Sequence, residues 1–303
     1  MRRHGSGNGR GRAGRAVAPA VVACLTLLAV SAPGQPAGPP LPDAHAFLQE
    51  ARKNLASDSY VQRQFTYKER ETTVHMNPFG QMGTGDVLLY EVRPSVDPAL
   101  VYRRLIARNG VPLTPAQLTA EDRKQQEKEQ RYRAEQQQEQ PSERKARLEQ
   151  EAAARRREQK LVADVVSLFD FTLAGRATVD GVPSIVVDFR PRAGVTPETR
   201  EGRIASAFTG QAWVGEASHQ VVRVEAESQR SIRFVAGFVQ LDKGLKVTAT
   251  RREIDGAWLP VETTFRGHGR AFFFRSFDLD LVWQYFDYQR IRPPAASGGN
   301  DRP

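Results

Sequence analysis

The feature that most constrains this chain is a series of short alternating segments in its C-terminal half, from about Phe171 to Arg292. Between Gly210 and Glu225, apolar residues alternate with polar ones on both sides of a polar turn. Period-two alternation places one set of side chains on a buried face and the other set in water. The sequence therefore predicts an α+β fold built on a large, curved antiparallel sheet, with helices on one side.

Turn residues separate the expected strands. Asp180-Gly181 and Asp255-Gly256 predict two hairpins, because both positions of such turns favour positive φ. Turn signals recur roughly every ten residues, which is typical of an antiparallel meander. The expected strands are 60–74, 86–93, 101–107, 171–179, 185–190, 211–216, 221–228, 232–240, 245–253, 258–266, 270–275 and 277–288.

The N-terminus has the pattern of a secretory signal peptide, predicted over residues 1–32. Five arginines and no acidic residue precede an apolar run over 16–30, and Val30-Ser31-Ala32 offers a small-residue cleavage site. The alternative is a membrane anchor, but the run is shorter than the ~20 residues that a spanning helix needs. We expect export to the periplasm, with no integral membrane span in the mature chain.

Cys24 is the only cysteine, and Val21-Val22-Ala23-Cys24 resembles a lipobox. The apolar run continues past Cys24, whereas a lipobox normally closes it, so lipid anchoring there is the less favoured alternative. Cleavage after Ala32 would discard this thiol and exclude disulfides and cysteine–metal sites.

The basic balance of the chain does not indicate a nucleic-acid partner. The net charge is +9, and removal of the five leader arginines leaves about +4. Nucleic-acid binding would require a basic stripe with interleaved aromatic residues, and the sequence has none.

The mature chain is predicted to be one domain over 43–292, after a Pro/Gly-rich linker over 33–42 and before a disordered tail over 293–303. A helix is expected at about 43–57, because Asp43 can cap it and its apolar residues form one stripe.

A charged insert over 113–160 interrupts the strand pattern. Large apolar residues are scarce in it, and Lys, Arg, Glu and Gln dominate. It is interpreted as a solvated helix, a helical hairpin broken near Pro141-Ser142, or a partly disordered segment. A coiled coil is disfavoured because no apolar heptad is sustained. A short apolar helix is expected to follow it, over 161–169.

No catalytic motif is present, so an enzyme is not expected, and neither a cofactor nor a metal is called for. There is no Gly-x-Ser-x-Gly elbow, phosphate-binding glycine loop or His-Glu-x-x-His pair. The histidines of the mature chain are far apart in sequence: His45, His75, His219 and His268. Asp278 and Asp280 could act as acid and base, although on an alternating strand they fit the solvent face better.

The best candidate for a binding site is an apolar cavity under the C-terminal strands. Ligand pockets are mostly apolar with few polar groups. The alternative is an ordinary filled core. In the run Ala271–Phe274 the alternation fails, so either both of its faces are covered or one face receives another group. The candidate wall consists of Ile185, Val187, Phe189, Trp213, Val222, Val224, Trp258 and Phe265.

Four segments together resemble the LolA-like superfamily of bacterial envelope proteins, over about residues 43–110 and 161–290. They are the helix at 43–57 after a signal peptide, the hairpin Gly210–Glu225, the turn segment Ile254–Pro260, and Phe286-Asp287-Tyr288. The resemblance implies an incompletely closed antiparallel barrel with helices lining its open side. It also implies carriage of lipids or lipoproteins across the periplasm, or sensing of envelope state. The charged insert departs from the family pattern, and no functional residue is carried over.

Three functional hypotheses follow. The first is a non-enzymatic periplasmic protein that binds a lipid, a lipoprotein acyl chain or another apolar ligand. The second is an envelope sensor or interaction module whose insert, 113–160, contacts a partner protein. The third is an enzyme, which the missing motifs disfavour.

Overall fold

One antiparallel sheet of 13 strands forms most of the molecule. The computed structural model describes residues 39–291, except 56–57, 77–81, 96, 98–99, 198, 235–238 and 273–274. The predicted signal peptide with Cys24, most of the linker and the C-terminal tail therefore lie outside the described residues. From Leu41 onward the described residues belong to one compact unit.

The strands are β1 Phe65–Met76, β2 Met82–Arg93, β3 Tyr102–Arg108, β4 Val111–Pro112, β5 Phe169–Val179, β6 Val182–Pro191, β7 Phe208–Gly215, β8 Val221–Ser228, β9 Ile232–Phe234, β10 Val239–Leu241, β11 Lys246–Ile254, β12 Ala257–Ala271 and β13 Arg275–Arg290. The helices are α1 Ala44–Lys53, α2 Asp58–Gln62, α3 Pro115–Gln138, α4 Pro141–Ser167 and α5 Arg200–Ala205.

The sheet is open rather than closed into a barrel. Its order is β4-β3-β2-β1-β13-β12-β11-β8-β7-β6-β5, and β9 and β10 form a short hairpin that pairs with the end of β12. Within the described part of the chain, no ladder joins β4 to β5, which occupy the two ends. The predicted α+β fold with an incomplete antiparallel barrel is confirmed.

The turn predictions are confirmed by the backbone. Asp180 and Gly181 have φ of 48° and 81°, and Asp255 and Gly256 have φ of 50° and 73°. These values match the positive-φ pairs that tight hairpins require. They fix the registers of β5 with β6 and of β11 with β12.

Two helix starts follow from their capping residues. The side chain of Asp43 accepts a hydrogen bond from the Ala46 amide at 2.8 Å, as predicted for the cap of α1. Thr114 and Gln117 form a reciprocal capping box at the start of α3. The charged insert is a helical hairpin with its break just before Pro141, which was one of the three interpretations of this segment.

Several predicted boundaries were wrong. Residues 58–62 form α2 rather than the start of a strand. Asp58 lies in its first turn, where the helix dipole favours a negatively charged carboxylate. The predicted helix at 161–169 is the end of α4, up to Ser167. The strand expected over 232–240 is split into β9 and β10.

The strand expected over 270–275 does not exist as a separate element. β12 runs to Ala271, and Phe272 then adopts a φ of 50°, which turns the chain toward β13. The broken alternation at Ala271–Phe274 therefore marks a turn, of which Phe273 and Phe274 lie outside the described residues. Phe272 is 40% exposed.

Two apolar clusters lie against the sheet. In the first, Phe47 and Ala51 of α1 pack on Ile185, Val187 and Val214. The second joins the start of β13 to the region around β9: Ala207, Ile232, Leu245, Ala271, Phe277, Leu279 and Leu281. Among the described helices, none is both long enough and apolar enough to cross a bilayer.

Candidate functional site

The main candidate site is an apolar cavity of about 580 Å³ beside the second cluster, here called the larger cavity. The strands supply most of its wall, and α5 adds Ile204 and Ala205. The described residues that line it are all apolar: Val74, Met82, Phe169, Phe189, Ile204, Ala205, Phe208, Ala226, Ile232, Phe234, Val239, Leu241, Leu245, Val247, Phe265, Phe277, Leu279, Leu281 and Trp283.

The size of this space distinguishes it from ordinary core packing. Protein interiors contain few voids larger than a water molecule. At about 24 cal/mol per Å³, an enclosed empty space of this size would cost on the order of 10 kcal/mol. That is comparable to the whole net stability of a typical domain. The volume lies instead in the range of small-molecule binding pockets, ~300–1,000 Å³.

A smaller cavity of about 240 Å³ lies under α1. One side consists of Leu48, Ala51 and Arg52 of α1, and of Leu55, which follows this helix. The other residues come from the end of α4 and from β5 to β8: Val166, Phe169, Phe171, Val187, Phe189, Ala212, Val214, Val221 and Val224. Arg52 is the one charged residue among the described residues that line either of these two cavities.

Phe169 and Phe189 belong to the walls of both cavities. Their rings meet edge to face with centroids 5.4 Å apart, a favourable aromatic geometry. Phe169 is buried, whereas Phe189 is only half-buried. The two rings therefore separate the cavities.

Of the eight residues predicted for the wall, four line a cavity. Phe265 lines the larger cavity, Val187 and Val224 line the smaller one, and Phe189 lines both. Ile185 is fully buried in the first cluster, where it packs with α1.

The other three predicted wall residues line neither cavity. Val222 is buried at a β-bulge between β7 and β8. Trp258 is half-buried beside the β11–β12 turn, where it pairs with Glu253. Trp213 lies on the opposite sheet face, because its neighbours Ala212 and Val214 point into the smaller cavity.

Trp213 contributes to that opposite face through a cation–π contact. Its cross-strand partner is Arg223, whose guanidinium lies 5.8 Å from the ring centroid. Its aromatic character alone gave no indication of which sheet face it occupies.

A polar network continues the concave face beside the larger cavity. Glu71 on β1 pairs directly with Trp283 on β13, so both side chains lie on one face. Arg103 donates to Glu69 at 3.1 Å and to Glu71 at 2.8 Å. Its guanidinium also lies 4.2 Å from the ring centroid of Tyr90. Here the polar side chains satisfy one another.

Burial dominates the electrostatics of this network. It raises the pKa of Glu69, an effect that Arg103 opposes and Glu71 reinforces. Burial also raises the pKa of Tyr67 to about 12, and it raises the pKa of Tyr285 as well. The cluster thus stays neutral or paired at neutral pH, which suits a structural role.

The described residues contain no group of three or more His, Cys, Asp or Glu side chains placed to hold a metal ion. Asp278 and Asp280 lie on the solvent-exposed face, where they pair with His268 and Arg266. Their separate pairing and exposure fit the solvent-face interpretation of this strand.

Sequence reasoning missed two parts of the wall of the larger cavity. The segment 191–208 has no strand pattern, yet it supplies Ile204, Ala205 and Phe208. Phe277, Leu279 and Leu281 alternate regularly on β13, so period-two spacing could have identified them.

No family model matches the chain, and no curated protein matches it. Among solved structures, the chain is similar to a LolA superfamily protein from Nitrosomonas europaea, with 10% identity and a TM-score of 0.28, over 84% of this chain and 96% of that one. It is also similar to a DUF1329 family protein from Desulfovibrio piger, with 12% identity and a TM-score of 0.29, over 81% and 92%.

A third similar structure is the MucA/MucB complex of Pseudomonas aeruginosa, with 12% identity and a TM-score of 0.21, over 84% of this chain and 100% of the matched chain. At these identities and TM-scores the matches carry no argument. The open antiparallel sheet described above has the architecture that the sequence's own resemblance implies.

Proposed function

We propose that this protein is a non-enzymatic binder of an apolar ligand, such as a lipid or a lipoprotein acyl chain, and that it works in the periplasm. The observation that carries the proposal is the larger cavity, about 580 Å³ of space whose described lining residues are all apolar. Water gains little in such a space, because it finds no polar partners there. An acyl chain would instead recover the contacts that the wall lacks.

The periplasmic location rests on the sequence pattern of residues 1–32, with cleavage after Ala32. N-terminal sequencing of the exported protein should begin just after Ala32. A protein that retains Met1 would contradict export by this signal, and labelling with radioactive palmitate would contradict the absence of a lipid at Cys24.

The ligand itself can be sought directly. Native mass spectrometry of periplasmically expressed protein should show a bound mass above that of the mature chain, and organic extraction should release a lipid. A protein that carries no extra mass and binds no apolar fluorescent probe would contradict ligand binding.

The second candidate function is partner binding through the insert 113–160, and one surface of α4 favours it. Leu148 is 47% exposed on this helix, in a shallow groove with Ala152 and the basic residues Arg144, Lys145 and Arg156. Exposed apolar groups framed by charge are common in protein contacts. Affinity capture with Leu148→Asp as the matched negative should distinguish a specific partner from background.

A further inference from the structure

We infer that the two cavities together hold one single-chain anionic amphiphile, with its charged head at Arg52 and its chain passing Phe189 into the larger cavity. This inference rests on the proposed function. It specifies the chemical class of the ligand, the direction in which the ligand lies, and the residue beside which its chain passes between the cavities.

Arg52 lies where it can receive an anionic head group. Arg52 is exposed, yet it lines the smaller cavity, whose other described lining residues are apolar. Within the described part of the chain its side chain has no hydrogen bond or ion pair. A guanidinium at the edge of an apolar pocket offers planar, charged donors that suit a carboxylate or a phosphate.

Its neighbour Lys53 provides the contrast. Lys53 occupies the same last turn of α1, but it is paired with Glu50 at 2.6 Å and lines neither cavity. Both cations complement the C-terminal end of the helix dipole, so that role does not distinguish them. Of these two described residues, Arg52 alone adds an unpaired cation to a cavity wall.

Small residues lie beside Phe189 in the cross-strand row at the boundary between the two cavities. Phe189 pairs with Gly210 on β7, and Gly210 pairs with Ala226 on β8. Cross-strand partners share one sheet face. Phe189 therefore has no bulky neighbour on that side, and Ala226 already lines the larger cavity.

Gly210 cannot be replaced by a larger residue without distortion. A Cβ atom there would lie 2.0 Å from the carbonyl oxygen of Glu225. The small residue at this point is thus fixed by backbone approach. The passage is placed at the half-buried Phe189 ring, because this ring lines both cavities and its cross-strand partner Gly210 has no side chain.

The head-group test compares ligands that share one chain: palmitate, cetyl phosphate and cetyl alcohol. Arg52→Ala should weaken binding of the two anions by about fivefold, the size expected for a solvent-accessible ion pair. It should leave the alcohol unchanged, and Lys53→Ala should affect none of the three. Comparison of palmitate with cetyl phosphate separates a carboxylate head from a phosphate head.

The chain-length test uses saturated fatty acids from laurate to arachidate. Each added methylene that finds apolar contact should strengthen binding by about fourfold, until the chain meets an obstruction. Phe189→Ala should extend this gain to longer chains, and Ala226→Leu should end it at shorter ones. Phe171→Ala, which changes the smaller cavity only, should leave the length limit unchanged.

The outcomes distinguish failure of this inference from failure of the proposed function. If the unaltered protein binds palmitate and cetyl alcohol, but Arg52→Ala weakens both equally or neither, the inferred orientation is wrong. An unchanged length limit in both Phe189→Ala and Ala226→Leu would refute the passage. Failure of the unaltered protein to bind any of these probes would refute the proposed function itself.

Discussion

The two apolar regions of the sheet look alike in sequence but differ in what covers them. Under α1, Ile185 and Val187 are 0% and 1% exposed, because Phe47 and Ala51 pack on them and leave only the smaller cavity of about 240 Å³. Beside β12 and β13, the alternation is just as regular, yet a space of about 580 Å³ remains. The covering helix there, α5, has 6 residues, whereas α1 has 10.

This difference teaches that a strand's own pattern determines which face is apolar but not whether that face is filled. Filling depends on the length and side chains of the element on the other side. The longer helix α1, with its apolar stripe, leaves about 240 Å³ above its strands. The shorter helix α5 and a two-strand hairpin leave about 580 Å³.

The largest expected loss of stability is on the side of the sheet that α1 covers. Ile185→Ala removes a fully buried side chain from contact with α1, so the free energy of unfolding should fall by about 2–5 kcal/mol. Urea unfolding followed by circular dichroism measures this directly. A loss well under 1 kcal/mol would mean that the region under α1 is as loosely filled as the larger cavity.

The matching change on the cavity side should cost less. Phe265 is half-buried, lines the larger cavity and contacts Trp283 edge to face at 5.4 Å. Phe265→Ala should therefore cost clearly less than the ~3–5 kcal/mol of a core phenylalanine, and binding of an apolar fluorescent probe should change. The full core penalty together with undetectable probe binding would identify a filled core.

Removal of the insert should lower the stability of the protein less still. Replacing residues 119–160 with a Gly/Ser linker removes the polar contacts of α3 with β3, including the Arg104–Asp122 ion pair at 2.7 Å. It removes little apolar burial, and burial is the main folding term. The thermal midpoint should shift by only a few degrees in calorimetry. Loss of soluble protein would show that the insert is needed for packing.

The smallest effect concerns the polar network. The pKa of Glu69 is raised by burial, so the folded state holds this proton to higher pH than the unfolded chain does. Stability is therefore lost as pH rises from about 4 through the raised pKa. Relative to the unaltered protein, Glu69→Gln should become more stable across that window.

Urea unfolding at several pH values provides the measurement. Asp280→Asn is the matched control, because Asp280 is exposed and its removal should leave the pH dependence nearly parallel to that of the unaltered protein. A Glu69→Gln curve that stays parallel as well would show that burial does not perturb this carboxyl group.

The sequence predicted the fold well where local chemistry decides the structure. Asp43 capped α1, and the two Asp-Gly pairs fixed the hairpins because few residues adopt positive φ. It failed where packing between distant segments decides the outcome. Tyr60 lies in α2 despite its strand-like surroundings, and the face of Trp213 depended on register with β6 and β8.

The candidate site was predictable only in part for the same reason. Phe189 and Phe265 were identified from strand alternation, but Ile204 and Phe208 come from a segment without a strand pattern. The lining position of Arg52 depends on how α1 sits on β6 and β7, which involves residues far away in sequence.

The central claim, that an apolar ligand occupies the larger cavity, can be tested most directly by contact quenching. Of the three tryptophans, Trp283 lines that cavity and Trp213 lies on the opposite sheet face. A protein that retains only Trp283, through Trp213→Phe and Trp258→Phe, should lose fluorescence when brominated stearate is added. A protein that retains only Trp213 should not. Equal quenching of both proteins, or of neither, would contradict ligand binding in the larger cavity.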